Sequence, residues 1–131
     1  MSQKRQTPKV SVIIPTYRRS VELQRAVTSV LLQGFADYEI IVVDDNPPET
    51  EARIKNEEYL GRLDPRIVHL KNSRSLGGAE ARNVGIRASQ AQYVAFLDDD
   101  DEWLPSKLQK QVDMLDALDS EVACVDTGFS L

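Results

Sequence analysis

Glu39-Ile40-Ile41-Val42-Val43-Asp44-Asp45-Asn46 decides the architecture. Its first five residues are β-branched and almost uniformly apolar, as expected of a parallel strand covered on both faces. A strand with one wet face would alternate instead. The run stops at two carboxylates. Asp-Asn-Pro is strong turn chemistry, and Asp44 is assigned to that turn. Asp45, at the strand end, is assigned to a ligand, where a carboxylate can accept hydrogen bonds from the N–H of a base or from ribose hydroxyls.

Outward from this strand, apolar runs alternate with helical patterns. Upstream, Val10 to Ile14 reads as a strand closed by Pro15. Ser20 is placed to cap a helix whose Leu23, Ala26, Val27, Val30 and Leu31 recur at helical spacing, with Gly34 ending it. Downstream, Thr50 caps a weakly patterned helix to about Leu63, and Arg66 to Leu70 is a short strand. Gly77-Gly78 opens a helix in which Ala81, Val84, Gly85 and Ala88 form a small-residue face for close packing on a sheet. Tyr93 to Leu97 is a strand. Pro105 suits the first position of a helix carrying Leu108, Val112 and Leu115 on one face. Glu121 to Asp126 reads as the last strand. The order β-α-β-α-β-α-β-α-β predicts an α/β fold, a mostly parallel sheet with helices on both faces. Residues 10–131 form one region, and residues 1–9 a frayed terminus.

Composition narrows the function. The chain has 131 residues and a net charge of −5, which argues against nucleic-acid binding by electrostatics. No apolar run approaches the ~18 residues of a membrane span. The polar, basic start carries no signal peptide, so a cytoplasmic location is expected. Cys124 is the only cysteine, in an apolar run, and reads as core packing. His69 is the only histidine. Within Ile67-Val68-His69-Leu70 it reads as a strand residue with a satisfied ring.

Three strand ends carry polar chemistry: Pro15-Thr16-Tyr17-Arg18-Arg19, Asp44-Asp45-Asn46 and the run Asp98-Asp99-Asp100-Asp101. In parallel sheets ligands gather beyond the carboxyl ends, where strand order reverses. Four adjacent carboxylates repel one another, and a cation among them relieves the crowding. Oxygen-only ligands favour Mg²⁺ or Mn²⁺, ions that travel with phosphates. A solvated acidic loop is the alternative. Tyr17 offers a ring to a nucleobase and Thr16 a hydroxyl. Arg18, Arg19, Arg74 and Arg82 are cations near the same rim, suited to a pyrophosphate. Gly77-Gly78 presents backbone N–H groups. Without Walker spacing, or Gly-x-Gly-x-x-Gly after the first strand, metal-mediated phosphate binding is the better expectation.

The segments VSVIIPTYRR (10–19), YEIIVVDDN (38–46), GGAEARNVGI (77–86) and YVAFLDDDDEWLPSKL (93–108) resemble the nucleotide-sugar half of inverting family 2 glycosyltransferases, which have the GT-A fold. The resemblance runs from about Val10 to Asp126. It implies that Asp45 contacts the base of a nucleoside-diphosphate sugar, a UDP-sugar first, and that Tyr17 stacks near it behind Pro15 and Thr16. It places the D-x-D motif on Asp98, Asp99 and Asp100. Asp100 is then the direct ligand of Mn²⁺ or Mg²⁺, Asp98 or Asp99 holds ribose or metal-bound water, and Asp101 caps the next helix. Arg82 and Asn83 match the family's A-R-N signature beside the donor pocket.

Two departures stand out. The family usually continues Gly/Asn-Ser-x-Asp after the base-contacting aspartate, whereas this chain reads Asn46-Pro47-Pro48-Glu49. The acceptor site and general base are expected beyond Leu131, in a second half. The surface facing that half is expected to be apolar and to favour self-association, and a full-length enzyme could sit peripherally at a membrane. Three other classes fit less well. A phosphoacceptor receiver domain needs an acidic pair after strand one, a lone aspartate after strand three and a lysine after strand five. A nucleotidyltransferase needs a Gly-rich loop after strand one. A catalytically incomplete binding or assembly module retains the donor site without transfer.

Overall fold

The computed structural model describes residues 7–118. Strands β1 (Val10–Thr16), β2 (Tyr38–Asp44), β3 (Ile67–Lys71) and β4 (Tyr93–Phe96) form one sheet in the order β3-β2-β1-β4. Every pairing is parallel. Helices α1 (Ser20–Leu31), α2 (Glu51–Leu60), α3 (Gly78–Ala88) and α4 (Lys107–Ala117) alternate with the strands.

The strand sequences explain why both faces are covered. On β1 and β2, Val12, Ile14, Ile40 and Val42 turn to one side, where they pack with Leu23 and Val27 of α1, Leu60 of α2 and Leu108 and Val112 of α4. Ile13, Ile41 and Val43 turn to the other side, against Ala81 of α3. The expected small-residue face is present at Ala81, Val84 and Gly85, whereas Ala88, at the helix end, is exposed. A Cβ on Gly85 would stand 2.5 Å from Ile13 Cγ2, so only a glycine lets α3 lie this close to the sheet. The α/β sheet with helices on both faces is therefore present. Because β2 and β4 flank β1 from opposite sides, the winding reverses between β1 and β4. A crevice opens there beyond the carboxyl ends.

Several boundaries differ from expectation. Pro15 does not close β1, which pairs on through Pro15↔Val43 and Thr16↔Asp44. Ser20 is the first residue of α1 rather than its cap; Arg19 precedes the helix with no side-chain cap, and the Ser20 hydroxyl donates to Ala52 O at 3.4 Å. That helix ends at Leu31, before Gly34. Thr50 does cap α2, accepting from Arg53 N–H at 3.3 Å, but the helix stops at Leu60. Pro105 lies outside α4, which starts at Lys107 after Ser106. Strand β4 ends at Phe96, although Leu97 N–H still reaches Ile13 O at 3.0 Å. Trp103 anchors this end of the chain: it is buried in the core, with its backbone N–H on Ser29 Oγ. The expected strand at Glu121 to Asp126, with Cys124, lies outside the described residues, as do residues 1–6.

Candidate functional site

The carboxyl ends of β1, β2 and β4 and the start of α3 enclose an open cleft of about 520 Å³, a size suited to a small-molecule ligand. Pro15, Thr16, Tyr17 and Arg19 line it from the first loop and Asp45 from the second. Ser75, Gly77 and Arg82 contribute from around α3, and Asp98, Asp99 and Asp100 from the loop after β4. The sheet thus gathers residues more than eighty positions apart. Three expected site residues fall elsewhere, among them Arg18, which is exposed beside Tyr17 and does not line the cleft. Asn83 is exposed on α3, 3.5 Å from Glu80, and does not line the cleft. Arg74 is exposed on the loop before α3, also outside the lining.

Asp45 is held by four donors. Its carboxylate accepts from Asn72 Nδ2 at 2.8 Å, Ser75 Oγ at 3.1 Å, Leu76 N–H at 2.8 Å and Gly77 N–H at 2.9 Å. Burial alone would raise its pKa, but these bonds outweigh burial and hold it below the usual value. Gly77 makes the arrangement possible: at φ 94° its backbone adopts a conformation other residues rarely enter, although nothing would collide with a side chain there. The chain's own carboxylate thus occupies the Leu76 and Gly77 N–H groups just before α3.

Asp44, one residue earlier, faces the opposite way and is fully buried. It accepts from Asn46 N–H at 3.1 Å, as the expected turn requires, and also from Asn46 Nδ2, Asn56 Nδ2 and the His69 ring. Arg53 Nε lies 3.2 Å from Asp44 Oδ1 without hydrogen-bond geometry, so that contact is electrostatic. Burial opposes the charge on Asp44, yet its hydrogen bonds prevail and its carboxyl sits well below the ordinary carboxylate range. His69 is the satisfied strand residue its sequence implied, 2.8 Å from Asp44.

The four consecutive aspartates divide by role. Asp99 turns inward, accepting from Thr16 Oγ1 at 3.0 Å, Tyr17 N–H at 3.3 Å and Arg19 at 3.4 Å. Burial raises its pKa against these bonds. Asp98 pairs with Arg82 at 2.9 Å and Asp100 with Arg19 at 2.8 Å. Asp101 is not a helix cap, since α4 begins six residues later; its N–H closes a turn onto Asp98 O. Its carboxyl joins Asp98 and Asp100, with one oxygen of each within 4.8 Å of the others. Burial and then the charges of Asp100 and Asp98 raise the Asp101 pKa. Three converging oxygen donors, under mutual repulsion, fit a hard divalent cation. Tyr17 is half-exposed beside this cluster, with the Arg18 guanidinium 5.0 Å from its ring centre.

Sequence reasoning overlooked Asn72, Ser75 and Arg53. The first two are ordinary loop residues whose only signal is polarity after β3. Arg53 sits in a helix of weak pattern and looks like a surface charge until its burial is seen.

The profile of Glycosyl transferase family 2 matches residues 11–130. A UDP-Glc:α-D-GlcNAc-diphosphoundecaprenol β-1,3-glucosyltransferase of Escherichia coli, WfgD, is 36% identical over 106 residues, covering 81% of this chain and 40% of that protein. A GalNAc(5)-diNAcBac-PP-undecaprenol β-1,3-glucosyltransferase of Campylobacter jejuni is 41% identical over 103 residues, covering 77% and 32%. Among solved structures, residues 1–349 of S. aureus TarS in complex with UDP-GlcNAc superpose with a TM-score of 0.71 at 27% identity, covering 82% of this chain and 31% of that one. The chain spans less than half the length of the curated relatives it matches.

Proposed function

The chain belongs to glycosyl transferase family 2, and from that premise we propose that it is the donor-binding region of an inverting glycosyltransferase that holds a nucleoside-diphosphate sugar with a divalent cation. The observation that carries this reading is the convergence of Thr16, Tyr17, Asp45, Arg82 and the Asp98–Asp100 run on one cleft. Relatives named for UDP-Glc, and a superposable structure holding UDP-GlcNAc, favour a UDP-sugar. Tyr17 and Asp45 take the nucleoside, and Asp98, Asp100 and Asp101 the cation. Bound Mn²⁺ or Mg²⁺ supplies charge neutralisation to the diphosphate leaving group.

Arg19 and Arg82, on the same rim, add positive charge where the diphosphate lies. In the reaction an acceptor hydroxyl attacks the anomeric carbon, the bond to the diphosphate oxygen breaks, and configuration inverts. A general base removes the acceptor's proton. The named relatives act on undecaprenol-linked saccharides, so a lipid-linked saccharide acceptor, reached at the cytoplasmic membrane surface, is the corresponding reading here. Among the described residues no helix is long and apolar enough to cross a membrane. Calorimetry with UDP and GDP, each with and without Mn²⁺, tests the donor site. Micromolar to millimolar binding that strengthens with Mn²⁺ is expected, and a failure of both nucleotides to bind would overturn the proposal.

A further inference from the structure

Arg53 is 4% exposed, on the first turn of α2. Its Nη2 lies 2.5 Å from Asn46 O, 2.6 Å from Asn72 O and 3.2 Å from Asp44 O. That nitrogen carries two hydrogens, so one is shared, and the carbonyls belong to the segments leaving β2 and β3. A buried guanidinium satisfied chiefly by backbone oxygens fixes chain path rather than binding a neighbour's side chain.

What those two asparagines do next is the informative part. Asn46, 1% exposed, accepts from Arg18 N–H at 2.8 Å through Oδ1 and donates to Asp44 Oδ1 at 2.8 Å through Nδ2. Arg18 has φ 57°, a left-handed conformation that a non-glycine residue keeps only when its surroundings hold it. Its neighbour Tyr17 lines the cleft. Asn72, 9% exposed, donates to Asp45 Oδ1 at 2.8 Å. One guanidinium therefore grips two asparagines, and each asparagine sets a different wall of the nucleoside end of the cleft. The loop Pro47-Pro48-Glu49 contributes no hydroxyl or second carboxylate here, and the support comes from beneath instead.

We propose that Arg53 is a positioning residue for donor recognition: through Asn46 and Asn72 it sets the placement of Tyr17 and Asp45 together, without touching the ligand. The inference rests on the nucleotide-binding reading of the cleft. It separates the nucleoside end, supported by Arg53, from the cation end at Asp98, Asp100 and Asp101, which Arg53 does not contact.

The test compares Arg53→Met and Arg53→Lys with Leu60→Ala, a buried apolar truncation on the same helix. Arg53→Met is expected to weaken UDP binding about tenfold, as for loss of a charge-assisted hydrogen bond. The ratio of UDP affinities with and without Mn²⁺ should stay at the wild-type value. Arg53→Lys, which keeps the charge beside Asp44 but reaches fewer carbonyls, should fall between, and it remains informative if Arg53→Met does not fold. Leu60→Ala should lower the thermal midpoint while leaving UDP affinity within about twofold. Hydrogen exchange without ligand supplies a second readout. In either Arg53 variant the amides of Arg18, Leu76 and Gly77 should lose protection at least about tenfold while the β1–β2 ladder keeps its own. Unchanged exchange at those amides, or UDP weakening in Leu60→Ala equal to that in the Arg53 variants, would overturn the positioning role. A wild-type protein that binds neither UDP nor GDP, with the exchange pattern still seen in the Arg53 variants, would instead sink the nucleotide reading.

Discussion

His69 Nε2 lies 2.8 Å from Asp44 Oδ2, tying β3 to the carboxyl end of β2. The contact commits the chain's one histidine to a carboxylate that no ligand can reach. It also separates two adjacent aspartates completely. Asp44 is bound beneath the sheet edge by His69, Asn56, Asn46 and Arg53, whereas Asp45 turns to the cleft and organises the loop before α3.

Asp44 makes stability sensitive to acid. An unfolded aspartate titrates near pH 3.9, and the folded value lies lower because the hydrogen bonds on Asp44 overcome its burial. Below about pH 5 the unfolded chain therefore binds more protons than the folded one, and stability falls with pH. The contribution is fully present above the unfolded value and is lost as pH descends toward the folded one. Urea midpoints from pH 7 to pH 2 should show this decline in wild type. Asp44→Asn should cost about 3–5 kcal/mol at neutral pH, as for a buried pair deprived of one partner. Its stability should also fall less steeply below pH 5. An equally steep acid decline in that variant would assign the sensitivity to other carboxylates.

Gly85 is set by contact rather than by backbone. An added Cβ would meet Ile13 Cγ2 at 2.5 Å, and Ile13 is fully buried between strands and α3. Gly85→Ala gains up to about 1 kcal/mol in helix propensity and loses about 1–3 kcal/mol to overpacking. A net loss is expected. Thermal melts of Gly85→Ala, Ile13→Ala and the double variant should show a combined loss smaller than the sum, because Ile13→Ala removes the γ and δ carbons that the new Cβ would meet.

Gly77 is the converse case. Open space surrounds its Cα, but φ 94° is strained for any side chain. Gly77→Ala should cost about 1–3 kcal/mol, the usual range for a residue held in a sparsely populated conformation. Because Gly77 N–H is one of the donors to Asp45, the variant should also weaken UDP binding. Calorimetry with UDP that returned the wild-type affinity would separate Asp45 from nucleotide recognition.

The sequence carried the architecture where side-chain chemistry is local and repetitive. The uniform apolar strand around Ile41, the close-packing Ala81 and Gly85 of α3 and the cap at Thr50 all read correctly because each depends on neighbours within a few positions. The cleft was legible from its acidic strand ends, since a carboxylate pair after a buried strand has few structural uses. What escaped was everything decided by long-range pairing. The resemblance makes Asp101 a cap of the next helix, yet the chain runs on to Ser106 before turning helical. For Asp99 the resemblance implies ribose or metal-bound water as its partner, and gives no sign of the inward bond to Thr16, which spans 83 positions. Arg53 gave no sign at all, because burial of a guanidinium depends on three carbonyls that only the folded sheet edge brings together.

Arg19 and the cation should compete for Asp100. Its guanidinium is 2.8 Å from Asp100 and 3.4 Å from Asp99, and the charges of Asp99 and then Asp100 raise its pKa. Both Arg19 and Asp100 are about half exposed, so the pairing is weak and exchangeable. A cation held by Asp98, Asp100 and Asp101 would release Arg19 toward the diphosphate. Arg19→Ala is therefore expected to shift two affinities in opposite directions. Mn²⁺ alone, followed by the spectrum of the free ion, should bind a few-fold more tightly because a competing charge is gone. UDP in the presence of Mn²⁺ should bind more weakly because a cation beside the diphosphate is missing. Asp100→Asn should weaken both. Parallel losses in Arg19→Ala would mean that Arg19 supports the loop rather than exchanging with the ion.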